Sequence, residues 1–125
     1  MLSKARVHAL LPAADLARAR AFYEEQLGLS PSEVNPWAVV YELEGGTRFS
    51  VFPTPNMARA GHTQMGFAVA DVRAAVAELK ERGVVFEEYD LPGLKTINGV
   101  AQAEGRTAAW FKDSEDNVIE LIERE

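Results

Sequence analysis

Glu120 is the residue of this sequence whose setting points most directly to chemistry. It stands within residues 118–122, a run whose side chains alternate between two apolar faces of a predicted strand. A carboxylate among apolar side chains needs a metal ion, a cation or hydrogen-bond donors, because an isolated buried charge is costly. Glu120 is therefore a candidate catalytic and metal-binding residue. The alternative is a glutamate near a strand end that reaches solvent.

Two further polar residues lie in predicted strands and could share that site. His8 and Gln64 each stand seven residues before an aspartate that can cap a helix, so they occupy equivalent places in the two halves of the chain. Histidine, glutamine and glutamate side chains from three strands would offer nitrogen and oxygen ligands to a borderline divalent metal ion. The alternative for His8 is a hydrogen-bonded structural histidine. His62 is a rival for the place of Gln64, or else an exposed loop residue.

The elements that must position these residues follow from hydrophobic periodicity. Apolar residues recur at helical spacing after Asp15 and again after Asp71, and the two helices end at Gly28 and Gly83. Pro12 is expected to close the first strand. Residues 90–106 are predicted to be irregular, with room for a short strand near residue 100. The predicted strands cover residues 7–11, 37–43, 47–52, 64–69, 84–89, 107–111 and 117–122.

The two halves of the chain repeat each other with a period of about 56 residues, because each predicted helix is preceded by a capping aspartate and followed by a glycine. A period this long with two copies is not a solenoid, so we expect two units that bury their faces against each other or against another chain. The prediction is one α+β domain over residues 1–125, with module one at about residues 1–56 and module two at about residues 57–125.

Composition excludes several classes of function. The formal net charge of −6 gives no general basic field for nucleic acid, which is therefore an unexpected partner. The chain has no cysteine, so thiolate nucleophiles and cysteine-ligated metals are excluded. It has neither a secretory signal pattern nor an apolar run of about 18 residues, so we expect no membrane association and a cytoplasmic location.

The two ends of the sequence resemble the vicinal oxygen chelate superfamily, which includes glyoxalase I, bleomycin-binding proteins and ring-cleaving dioxygenases. His8, the run A-D-L-A-R-A-R-A-F-Y at residues 14–23 and L-G-L at residues 27–29 are similar to its opening. W-F-K-D at residues 110–113 and D-N-V-I-E-L at residues 116–121 resemble its closing hairpin. The resemblance implies two βαβββ modules forming a cup-shaped mixed sheet, a small-molecule ligand or substrate, and commonly a homodimer with modules paired within one chain or swapped between two.

Carried over residue by residue, the metal-ligand positions of the superfamily fall on His8, Gln64 and Glu120, with a fourth near Ser50. The resemblance thus implies a divalent ion such as Ni, Zn, Mn or Fe. Ser50 departs from the four-ligand pattern, because a neutral hydroxyl is a poor ligand for such an ion.

Two functions follow from this resemblance. The first is a glyoxalase-like, divalent-metal-dependent lyase, isomerase or dioxygenase acting on a substrate with vicinal oxygens, in which the ion stabilises a developing oxyanion. The alternative is a metal-free protein that binds and sequesters an aromatic or hydrophobic small molecule on its apolar strand faces. Aromatic residues on strands are more often core than ligand contacts. The candidate ligand-binding residues are Trp37, Ser50, Phe52 and Trp110.

Overall fold

The computed structural model describes residues 1–55, 61–103 and 105–124, so the predicted boundary between the modules, near residue 56, lies outside the described residues. The first half contains short helical turns at Leu2–Lys4, Phe22–Gln26 and Glu44–Gly46. Its regular elements are β1 (Ala9–Ala13), α1 (Leu16–Ala21), β2 (Glu33–Asn35), β3 (Ala38–Glu42) and β4 (Arg48–Pro53). The second half contains β5 (Thr63–Val69), α2 (Val72–Glu81), β6 (Asp90–Leu91), β7 (Leu94–Ile97), β8 (Val100–Ala103), β9 (Arg106–Lys112) and β10 (Val118–Glu123).

The strands form two mixed sheets, one for each half of the chain. In the described residues the first sheet has the order β1-β4-β3-β2 and the second the order β5-β10-β9-β8-β7-β6. In each sheet the first strand of the half runs parallel to the last, and the other pairs are antiparallel. Leu10 pairs with Ser50 as Gly66 pairs with Glu120, so the two sheets share one plan. The predicted α+β fold is confirmed.

The helix boundaries are set by the residues that the sequence indicates. The Asp15 carboxylate accepts a hydrogen bond from the backbone N–H of Arg18 at 3.0 Å, and Asp71 caps α2 in the same way. Gly28 and Gly83 follow the helical segments with φ of 74° and 90°, a conformation that favours glycine. No helix within the described ranges is long and apolar enough to cross a membrane.

Three strand predictions differ from the structure. β1 continues through Pro12 to Ala13, because β1 pairs with a neighbour on one side only and a missing N–H on its open side removes no ladder bond. Residues 84–89 form no strand and contribute one isolated bridge between Phe86 and Phe111. Residues 90–106 are predicted to be irregular with room for a short strand near residue 100; β8 (Val100–Ala103) matches that strand, but the same stretch also carries β6, β7 and the start of β9.

Aromatic side chains from both halves build one shared core. The Phe49 ring packs on Phe67 with centroids 5.8 Å apart, and the Phe22 ring packs on Phe111 at 6.1 Å. Tyr23 is fully buried and contacts the Phe49 ring at 5.4 Å. Because each contact between halves excludes water from large apolar surfaces, the two sheets are held in one hydrophobic unit.

A buried polar turn, residues 113–117, links the halves on the other side of this core. The Asp113 carboxylate accepts hydrogen bonds from the backbone N–H groups of Glu115 and Asn117, both at 2.9 Å. Its second oxygen accepts from the Tyr23 hydroxyl at 2.6 Å and from the Asn117 amide at 2.8 Å. Asn117 also donates to the Pro12 carbonyl at 3.0 Å. The polar turn therefore connects the second half to the helical turn Phe22–Gln26, which follows α1, and to β1.

Glu115 adds an ion pair to this polar turn. Its carboxylate lies 2.7 Å from Nε of Arg18 and accepts a 3.0 Å hydrogen bond from the backbone N–H of Asp15. The hydrogen bond from Arg18 outweighs the cost of burial and holds the pKa of Glu115 at about 2, below its usual 4.5.

The depressed pKa of Glu115 predicts acid sensitivity in a defined window. A carboxyl whose pKa is lower in the folded state stabilises the fold above its unfolded pKa of 4.5 and loses that contribution as the pH falls towards 2. The Arg18 side chain is 55% exposed, and solvent screens the pair, so we expect a loss of about 1 to 2 kcal/mol. Urea unfolding at pH 6 and pH 3 measures it. Glu115→Gln should flatten this part of the pH profile, and an equally steep profile in that variant would contradict the assignment.

Candidate functional site

Glu120 lies on β10, next to the edge strand β5 of the second sheet, on the face turned away from the core. Its neighbours along β10, Ile119 and Leu121, are buried in the core, so alternation places Glu120 on the opposite face. Trp110 of β9 is its partner on one side and Gly66 of β5 on the other. The structure therefore brings together a carboxylate, an indole and a position without a side chain.

Trp110 is held across this face by two contacts. Its indole Nε1 donates a hydrogen bond to Oγ1 of Thr63 at 3.1 Å, which carries the ring over β10 towards β5. The Tyr89 ring packs edge-on against the indole with centroids 5.6 Å apart and planes at 75°. Because Nε1 of the indole is hydrogen-bonded and its ring makes a T-shaped contact with Tyr89, the indole presents a fixed aromatic surface beside Glu120.

Glu120 has no hydrogen-bond or ion-pair partner among the residues that the structure describes. Burial raises the pKa of its carboxyl, and the more distant Arg106 guanidinium opposes that shift. A carboxylate that has lost water without gaining a donor is a group that an incoming ligand can satisfy.

Gly66 is a functional candidate that our sequence analysis did not single out. A side chain at this position would start 3.3 Å from Oε1 of Glu120, so the glycine keeps the space next to the carboxylate open. The available signal is a glycine in the middle of a strand, which often marks the close approach of a ligand or another backbone.

Gln64 has a structural role in this sheet. Val118 pairs with Thr63 and Ile119 pairs with Met65, so Gln64 is the extra residue of a β-bulge. Its side-chain oxygen accepts a 3.2 Å hydrogen bond from the backbone N–H of Val118. The oxygen predicted to ligate a metal thus compensates the ladder bond that the bulge interrupts.

His8 and Ser50 are placed in the first sheet. His8 is exposed and lies just before β1 rather than within it. Ser50 is buried in the middle of β4, between its strand partners Leu10 and Val40. His62, the rival of Gln64, is exposed ahead of β5, and its Nδ1 lies 3.0 Å from the carbonyl oxygen of Thr63.

The other predicted ligand-binding aromatics also belong to the first sheet. Trp37 lies in the turn between β2 and β3 rather than on a strand and is 78% exposed. Its backbone N–H donates to the side chain of Asn35 at 2.9 Å. Phe52 is half-buried in β4 opposite Pro12. No contact described in the structure joins either ring to Trp110, so the site around Glu120 contains Trp110 alone of the predicted aromatic residues.

A groove of about 630 Å³ runs between the start of the first sheet and β5. Its volume falls in the range of small-molecule sites. Gly66, the strand partner of Glu120, belongs to its wall, whereas Glu120 and Trp110 are not among the residues that line it. A smaller apolar cavity of about 170 Å³ lies between the two halves, away from this face. The groove is lined by Val7, His8, Ala9, Leu43, Glu44, Gly45, Thr47, Arg48, Phe49, Met65, Gly66, Phe67, Ala68, Val69 and Arg124.

Within the described ranges, the side chains do not assemble a donor set typical of a divalent metal ion. No group of three or more histidine, aspartate or glutamate residues in the described part of the chain is placed to hold one. Gln64 already accepts a hydrogen bond, and Ser50 offers only a neutral hydroxyl. The metal-ligand roles of His8, Gln64 and Glu120 therefore stay predictions, and no reaction step is derived through a metal.

Two halves that share one order of strands and helix, each with its own mixed sheet, define an α+β protein built from paired modules. The sequence profile of the Glyoxalase/Bleomycin resistance protein/Dioxygenase superfamily matches residues 6–121, and the chain belongs to that superfamily. The resemblance seen in the sequence is thereby confirmed. A comparison with curated proteins finds no match.

Solved structures of the same fold include ligand-binding proteins. A bleomycin-binding protein complexed with bleomycin is 20% identical, with a TM-score of 0.73 over 98% of this chain and 100% of that chain. TnmS3, an antibiotic-binding protein from Streptomyces sp. CB03234, is 23% identical, with a TM-score of 0.68 over 98% of both chains. A glyoxalase/bleomycin resistance protein from Catenulispora acidiphila is 25% identical, with a TM-score of 0.68 over 96% of this chain and 98% of that chain.

Proposed function

We propose that this protein binds an aromatic or hydrophobic small molecule without a metal ion and keeps it from its targets. The observation that carries the proposal is the fixed indole of Trp110 on a sheet face whose neighbouring strand β5 also lines the groove, at Gly66 and Ala68. Two structures of the same fold bind bleomycin and an antibiotic, which supports the same use of this fold here.

The physical basis of binding is apolar burial with aromatic stacking. Phe49, Met65 and Phe67 give the groove an apolar wall, and Trp110 adds a flat surface at the neighbouring sheet face. A planar ligand would displace water from both surfaces. Removing apolar area from water is favourable at roughly 25 cal/mol per Å². The predicted ligand contacts Ser50 and Phe52 remain part of the proposal as contacts from the first sheet, and Trp37, 78% exposed in its turn, is proposed as a peripheral contact that contributes less than Trp110.

The test is thermal melting of the purified protein in buffer with EDTA, with a panel of planar aromatic compounds. A compound that binds the folded state should raise the melting temperature progressively as its concentration exceeds the dissociation constant. Shifts that persist in EDTA support the proposal. Shifts that occur only after Ni, Zn, Mn or Fe(II) is added would contradict it and favour the metal-dependent enzyme.

The metal-dependent lyase, isomerase or dioxygenase is kept as the second candidate because of one observation, the Glu120 carboxylate that has no partner among the described residues. A carboxylate bound directly to a divalent ion contributes charge and affinity. Under this candidate Glu120→Gln should weaken metal binding by roughly 10-fold or more, and calorimetric titration with each metal measures it.

We also propose that the protein is a cytoplasmic homodimer. Val7 is 93% exposed and Leu10 is 58% exposed at the start of the first sheet, where Met1 and Leu2 are also exposed. Apolar side chains in one exposed segment are more typical of an interface than of a solvated surface.

For the homodimer we predict a mass about twice the 13.7 kDa of the chain by light scattering. Leu10→Asp should shift the protein to the monomer, because a charge would be buried at the interface. Val85→Asp introduces the same charge at another exposed apolar position and serves as the control. A wild-type mass equal to one chain would contradict the homodimer.

A further inference from the structure

The space beside the Glu120 carboxylate is open on the side of β5. Gly66 is the strand partner of Glu120, and even a single added carbon there would lie 3.3 Å from Oε1. Ala68, the next residue of β5 on this face, adds only a methyl group. Gly66 and Ala68 also line the groove, so the carboxylate and the groove are neighbours across β5.

The Glu120 carboxylate is available to accept a hydrogen bond from a donor that the described residues do not supply. It accepts no hydrogen bond from them and forms no ion pair with them, and burial raises its pKa. Arg106 opposes that shift without forming an ion pair. Glu120 is half-buried and its carboxylate has lost part of its water on folding, so a charged donor that reaches it gains a charge-assisted hydrogen bond.

The neighbouring indole favours the same kind of group. A cation above the face of a tryptophan ring is attracted by the ring's quadrupole, and Trp110 is fixed beside the carboxylate by Thr63 and Tyr89. The cations that line the groove are near carboxylates of their own: Arg48 lies 3.9 Å from Glu42, and Arg124 lies 3.9 Å from Glu44. The net charge of −6 also attracts cations to the whole molecule.

We propose that the ligand is a planar aromatic cation, with a protonated nitrogen hydrogen-bonded to Glu120 and an aromatic ring on Trp110. The inference rests on the proposed small-molecule binding and adds the charge of the ligand and the residue that recognises it. Glu120 acts in this role as an anionic hydrogen-bond acceptor for an organic cation.

The test compares two probes of nearly equal shape, 9-aminoacridine, which is protonated at pH 7, and acridine, which is uncharged there. Both are titrated by fluorescence anisotropy into the full chain in low-salt buffer with EDTA. We expect 9-aminoacridine to bind at least about 10-fold more tightly than acridine, the effect typical of a charge-assisted hydrogen bond. Glu120→Gln should bring this ratio close to one while the affinity for acridine is kept.

Glu81→Gln is the matched control, because it removes the same charge from an exposed position on α2 and should leave the ratio unchanged. An unchanged ratio in Glu120→Gln, with both probes still bound, would overturn the inference and leave the proposed function standing. A ratio that falls equally in both variants would also overturn it, because the preference would then come from net charge. Failure of both probes and of the aromatic panel to bind the wild-type chain would overturn the proposed function as well.

Discussion

Replacing Asp113 by alanine should lower the free energy of unfolding by about 3 to 5 kcal/mol, the range for removing one partner of a buried charged network. Its carboxylate is 4% exposed and accepts four hydrogen bonds. Without it, the Tyr23 hydroxyl, the Asn117 amide and two backbone N–H groups of the polar turn lose their acceptor. Because Tyr23 and Asp113 belong to different halves, the loss also weakens the packing of one half on the other.

Urea unfolding monitored by circular dichroism measures the effect of Asp113→Ala. Glu81→Ala is the control, since it removes an exposed carboxylate and should change the free energy of unfolding by less than about 0.5 kcal/mol. A loss below about 1 kcal/mol in Asp113→Ala would show that water replaces the carboxylate without cost, and the polar turn would then not join the two halves.

Replacing Trp110 by alanine should weaken the binding of a planar aromatic ligand by about 30-fold, equivalent to the ~2 kcal/mol typical of a buried tryptophan anchor. The ring supplies the stacking surface next to Glu120, and its contacts with Thr63 and Tyr89 hold it in place before the ligand arrives. Trp110→Phe keeps an aromatic surface and should retain most of the affinity. Isothermal titration calorimetry with a compound chosen by the thermal screen gives the dissociation constants.

Trp37→Ala is the positional control for that experiment. Trp37 is 78% exposed in a turn of the other sheet, so its loss should change affinity by less than about 3-fold. A larger effect at Trp37 than at Trp110 would place the stacking surface on the first sheet. Melting temperatures of each variant separate a binding effect from a folding effect.

The sequence predicts the repeat and its consequences well because the signals are local. Each helix begins at an aspartate that caps its own backbone and ends near a glycine with positive φ, and these signals act within a few residues. The equal spacing from each cap predicts that His8 and Gln64 are equivalent. The strand registers of Leu10 with Ser50 and of Gly66 with Glu120 agree with that equivalence.

Other features depend on partners that a sequence pattern does not show. Gln64 is the extra residue of a β-bulge, and its side chain accepts a hydrogen bond from the backbone N–H of Val118. A strict period-2 alternation does not include an extra residue, so the sequence pattern does not predict this contact. The hairpin of β7 and β8 has an available signal, Asn98-Gly99, both with positive φ. Residues 84–89 are apolar enough to predict a strand. In the structure they form one isolated bridge, at Phe86, because this residue is held by burial in the core rather than by a ladder of hydrogen bonds.

We expect an aromatic ligand to bind on the sheet face at Trp110 without a metal ion. Because the chain has two tryptophans, Trp37→Phe leaves Trp110 as the single indole reporter. The most direct measurement is the fluorescence of this variant, titrated in EDTA with a compound that raises its melting temperature. The account predicts a saturable change in Trp110 emission with the same dissociation constant as calorimetry. Saturable binding by calorimetry with unchanged Trp110 emission, or binding that needs added metal, would contradict it.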